Sequence, residues 1–125
     1  MTKMQEFQRM VLCKELRMNY NLIRGNTYDG YCSFNGWKDP NILKKFSRLN
    51  VSEINGSFDC DDNNLISLEG CPKIIKSSFL CRRNLLTSLE HGPKIVGWNY
   101  CCGANKLILD VPSDCEIDSG CFINT

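Results

Sequence analysis

A period of 21 residues runs through the second half of this chain and restricts its fold more than any other feature. Cys60, Cys81 and Cys102 stand 21 apart, and so do Phe58, Phe79 and Tyr100. Asn63, Asn84 and Asn105 keep the same interval, as do Leu65, Leu86 and Leu107. Ile54, Ile75, Val96 and Ile117 carry it to a fourth register. The shared unit is aromatic-x-Cys-x-x-Asn-x-Leu, followed in two copies by Ser-Leu-Glu (67–69 and 88–90) and by Pro-Lys-Ile (72–74 and 93–95). One such unit cannot bury its own apolar face. Stacked neighbours can, so the repeat predicts a β-rich solenoid.

The chemistry of the unit assigns its parts. Phe58 and Cys60 are two residues apart and share one face of a strand, as do Phe79 with Cys81 and Tyr100 with Cys102. Consecutive coils run the same way, which makes the sheet parallel. After each strand the chain turns and leaves backbone groups without ladder partners. An asparagine amide both donates and accepts, so the asparagine column is expected to close the coil. Pro72 and Pro93, near Gly70 and Gly92, mark an irregular return segment free of ladder hydrogen bonds.

Over residues 46–123 these features resemble the leucine-rich repeat family, most nearly its shortest bacterial units, with Asn-x-Leu after the strand and a proline in the return. The run from Asn84 to Lys94 is also similar to small repeat proteins encoded by large bacteriophages. The strand departs from that family: an aromatic and a cysteine replace its usual leucines. The resemblance implies a leucine-rich-repeat-like short parallel β-sheet of stacked 21-residue coils and a protein-binding role. The implied partner is a host protein, bound in the host cytoplasm.

A solenoid needs caps. Residues 3–18 space Met4, Phe7 and Val11, then Leu12 and Leu16, as a helix does. Turn signals follow at Gly25-Asn26, Asp29-Gly30 and Asn35-Gly36, and Tyr31 to Ser33 suggest short strands or a hairpin. Trp37 and Phe46 are expected to fill the first rung. The organisation expected is an N-terminal α-helix and β-hairpin cap over 1–45, coils over 46–107 and a closing coil over 108–125. In that closing coil Cys121 replaces the aromatic, and Asp110, Asp114, Glu116 and Asp118 make it polar.

Composition narrows the function. Nine cysteines in 125 residues would suit a disulfide-rich secreted domain. Their number is odd, several repeat at core-filling positions, and Lys3, Glu6 and Arg9 interrupt any apolar leader. The reading is therefore reduced thiols and a cytoplasmic location, with no membrane partner, since no apolar run reaches a span of about 20 residues. A net charge of +1 argues against nucleic acid as a partner. Metal binding is not expected, because no Cys-x-x-Cys pair occurs. No cofactor is expected, as there is no glycine-rich phosphate loop. His91 is the single histidine and lies in a return segment, so the chain reads as a non-enzyme with no catalytic residue.

Binding residues are sought where copies differ. Three columns of the strand and its exit point away from the core: Asp59, Leu80, Cys101; then Asp61, Arg82, Gly103; then Asp62, Arg83, Ala104. Trp98 breaks a column that otherwise holds Gly56 and Ser77. Trp and Arg are frequent at interface hot spots. The protein-binding candidates are therefore Asp59, Asp61, Asp62, Leu80, Arg82, Arg83, Trp98 and Cys101. Against this stands the plain alternative that Asp61 and Arg82 pair across adjacent rungs. Two further functions compete: binding of a small ligand or nucleic-acid fragment through Arg82 and Arg83 around Trp98, and self-association to a homo-oligomer through the end rungs.

Overall fold

The computed structural model describes residues 2–125. The chain forms a short β-solenoid in which each coil contributes two strands to two parallel sheets. The strands are β1 (Ile23–Arg24), β2 (Thr27–Tyr28), β3 (Cys32–Ser33), β4 (Glu53–Ile54), β5 (Phe58–Asp59), β6 (Ile74–Ile75), β7 (Phe79–Leu80), β8 (Ile95–Val96), β9 (Tyr100–Cys101), β10 (Glu116–Ile117) and β11 (Phe122–Ile123). One sheet runs β1-β2-β4-β6-β8-β10 and the other β11-β9-β7-β5-β3. The aromatic-x-Cys strands make the second sheet, as the repeat predicts. The first sheet grows from the aliphatic column Ile54, Ile75, Val96 and Ile117.

The inward files are continuous. Phe58 pairs in register with Phe79, and Phe79 with Tyr100. Their rings follow one another at 6.2 Å, stacked, and 5.0 Å, edge-on. Ile54, Ile75 and Val96 face them, and the Cys60, Cys81 and Cys102 thiols fill the corner beside them, all fully buried. Leu65, Leu68, Leu86 and Leu89 close the coil from the return side.

The asparagine column does what the repeat implies. The Asn84 side-chain nitrogen donates to the carbonyls of Cys60, Cys81 and Arg82, each at 3.1 Å. Its oxygen accepts from the backbone N–H groups of Asn63 at 2.9 Å and Leu65 at 3.0 Å, one coil back. Asn63 and Asn105 repeat the pattern. Just before each asparagine stands a residue in the left-handed region: Asp62, Arg83 and Ala104, with φ of 58°, 53° and 54°. That reversal folds each asparagine back under the carbonyls it caps. A second ladder turns the corner between the sheets. There the Ser57 and Ser78 hydroxyls and the Asn99 amide oxygen accept from the N–H of the following coil.

The ends bring several differences from the sequence reading. The helix α1 (Lys3–Glu15) begins on a capping box between Thr2 and Gln5 and ends three residues short of the expected limit. It buries Leu12, Cys13 and, at its C-cap, Leu16, while Met4, Phe7 and Val11 stay exposed. The hairpin is β1–β2, around Gly25. Parallel pairing starts before residue 46: β2 pairs with β4 and β3 with β5. This first coil is longer than 21 residues because a short helix, α2 (Ile42–Ser47), occupies its return, with Ile42, Leu43 and Phe46 turned inward. Gly70 is needed beside it, since its φ is +96° and a Cβ there would lie 2.5 Å from the Leu43 carbonyl oxygen. Phe46 is fully buried, whereas Trp37 packs half-buried on the edge of Phe34 at 5.3 Å.

At the C-terminal end the period slips. Phe122, not Cys121, pairs with Tyr100 and lies against its ring at 5.5 Å. One extra residue between β10 and β11 moves the aromatic on by one position, and Cys121 is exposed. Leu107 leaves its file and faces solvent, while Leu109 is buried.

Candidate interaction face

The outer side of the second sheet is less open than the columns imply, because a polar network spans three coils beneath its surface. Asp61 is fully buried. Its carboxylate accepts from the Arg82 guanidinium at 3.0 and 2.7 Å and from the Arg82 backbone N–H at 2.6 Å. Arg83 adds a longer contact at 3.8 Å. A buried carboxylate survives only when paired and hydrogen-bonded, which this geometry provides. The hydrogen bond to Asp61 raises the Arg82 pKa above its ordinary value. Asp59, also buried, accepts from the Asp61 N–H at 2.9 Å, the Tyr31 hydroxyl at 3.2 Å and the Asn35 amide at 3.1 Å. Asp62 pairs with Lys38 at 2.6 Å.

Three of the nominated acids are thus engaged within the fold. Asp59 and Asp61 are buried rather than solvent-facing, and Asp62 and Arg83 belong to the left-handed turn rather than to the strand. Cys101 is also nearly buried, and Leu80 half so. What reaches the surface is Tyr31, the outer part of Arg82, and Arg83. Tyr31 escaped the sequence reading because it precedes the repeat; its equivalence to the corner of later coils is visible only once β3 is seen to pair with β5. Trp98 stands apart, in the corner between β8 and β9, with 51% of its surface exposed.

The arrangement holds its outward side chains in fixed positions. Tyr31 is held by Asp59 and Arg82 by Asp61, so both side chains have lost rotamer freedom before any partner arrives. Neutralisation of Arg82 by Asp61 weakens the case for a phosphate site here. Burial pushes the thiols of Cys60, Cys71 and Cys81 well above the ordinary range and Cys102 up to about 11, which suits packing and not nucleophilic attack. Among the described residues no group of three or more His, Cys, Asp or Glu side chains is placed to hold a metal ion. No helix there is long and apolar enough to cross a membrane.

No family model matches this chain, and neither a curated protein nor a solved structure shows significant similarity to it.

Proposed function

We propose that this chain is a protein-interaction module that binds a partner through Tyr31, Arg82 and Arg83, with Trp98 as a second, separate anchor. The observation that supports this reading is the pair of buried carboxylates, Asp59 and Asp61, each immobilising a surface side chain. Tyr, Arg and Trp are the side chains that dominate interface hot spots, and holding them still lowers the entropy lost on binding. In this reading the chain has no catalytic role. The resemblance of its repeat to small bacterial and bacteriophage leucine-rich repeat proteins extends the proposal. The module is phage-encoded, acts in the host cytoplasm, and inhibits a host defence or metabolic protein.

Affinity capture from bacterial lysate at low salt, followed by mass spectrometry, tests this. A stoichiometric partner retained by the natural sequence and lost from a Tyr31→Ala/Arg83→Ala/Trp98→Ala variant is the expected result. These positions are exposed, Asp59 keeps the Asp61 N–H and the Asn35 amide as donors when Tyr31 is removed, and a thermal melt checks that the variant folds. Arg82→Ala is a poorer probe, because it strands the buried Asp61 carboxylate and destabilises the fold. Absence of any stoichiometric partner, or full retention by the triple variant, overturns the proposal.

A further inference from the structure

The two ends of the stack carry opposite charge, and both present apolar surface. Residues 1–50 hold nine basic and four acidic side chains, residues 51–107 six of each, and residues 108–125 four acidic and no basic ones. At the N-terminal end no ion pair among the described residues engages Lys3, Lys14, Lys44 or Arg48. At the other end the same holds for Asp110, Glu116 and Asp118.

The C-terminal end also lacks a covering layer. β10 and β11 are the last strands of their sheets and pair on one side only. Ile117 and Phe122 are half-buried there, and Ile108, Val111 and Ile123 are exposed. A sheet edge with apolar side chains around it is a template for association. At the opposite end, α1 turns Met4, Phe7, Met10 and Val11 outward. Phe7 and Val11 line a groove of about 740 Å³ between α1 and the residues that follow α2, with Arg48 at its wall.

We propose that the chain associates head to tail with a second copy, the open acidic C-terminal coil of one molecule docking on the basic N-terminal cap of the next. Electrostatics selects this arrangement over the symmetric ones. A tail-to-tail contact sets Asp110, Glu116 and Asp118 against themselves, and a head-to-head contact does the same to Lys14, Lys44 and Arg48. A head-to-tail contact is heterologous, so it adds further copies instead of stopping at two unless the rotation closes a ring. The surfaces differ from the Tyr31–Arg83 face, so this inference goes beyond the proposed function and stands or falls separately.

Sedimentation velocity over a concentration series tests it with the full chain and two charge-reversed variants. One carries Asp110→Lys/Glu116→Lys/Asp118→Lys and the other Lys14→Glu/Lys44→Glu/Arg48→Glu. All six side chains are exposed, and circular dichroism melts check that both variants fold. The natural chain is expected to grow in mass with concentration at about 0.01 M salt and to fall to monomer when the Debye length shrinks to about 3 Å at about 1 M. Each variant alone is expected to remain monomeric, and an equimolar mixture of the two to associate again, because each head then meets a tail of opposite charge. A natural chain that stays monomeric at low salt overturns the proposal. So does a variant that associates unaided, or a mixture that does not.

Discussion

Tyr100 shows how a repeated position can carry a residue that its environment does not fully satisfy. Its ring continues the file of Phe58 and Phe79, but its hydroxyl is buried without a hydrogen-bond partner, alone in this respect among the described side chains. Burial drives its pKa far upward. The space around it is tight: a Cβ on Gly92 would lie 2.9 Å from the hydroxyl oxygen. An unpaired buried hydroxyl costs free energy, so Tyr100→Phe should raise stability by about 1 kcal/mol in urea unfolding. A loss of similar size would mean that the hydroxyl has a partner. The burial of Phe58, Phe79 and Tyr100 was legible because each recurs at the interval of the coil. The burial of Asp61 was not. A carboxylate is ordinarily a surface group, and only the fold brings Arg82 down on it from the next rung.

At the scale of the element, the turn after each strand is the part most exposed to a single change. Asn84 is the acceptor for the buried N–H groups of Asn63 and Leu65, and it shares the carbonyls of Cys60, Cys81 and Arg82 with the Asn63 amide, the Asn105 amide and the Asp62 N–H. Asn84→Ala should lower stability by about 3 kcal/mol, the upper end of the range for stranding buried polar groups, as read from thermal melts. An unchanged melt would show that those groups find other partners. The asparagine column could be identified from sequence because amide chemistry and the 21-residue interval agree. The helix α2 is not separable from a loop in the sequence although Ile42, Leu43 and Phe46 have helical spacing, since six residues shortly after a proline give too short a pattern. The shift from Cys121 to Phe122 has the same origin: one inserted residue breaks the interval, and only strand pairing reveals where it falls. The interaction face was half legible. Columns that vary between copies pointed to Arg82 and Arg83, but alternation along a strand could not distinguish an outward side chain from one covered by Tyr31 and Asn35.

Across the whole molecule, coils lie over one another in register, so that each one completes the hydrogen bonding of the last. Stability in such a stack is a sum of nearest-neighbour terms, and the two ends are where that sum is left open. The first end is closed by α1 and the hairpin, and the last is the acidic coil from which self-association is inferred. Amide hydrogen exchange followed residue by residue tests the register most directly. Asn63, Leu65 and Leu86 donate their N–H groups to an asparagine side chain of the following coil, and Cys60 and Cys81 donate to strand carbonyls there. The stacked coils predict that all five amides are strongly protected, with a free energy of exchange no lower for Cys60, Asn63 and Leu65 than for Cys81 and Leu86, which lie one coil nearer the open end. Exchange of Asn63, Leu65 and Leu86 at the rate of an unstructured chain would contradict the account.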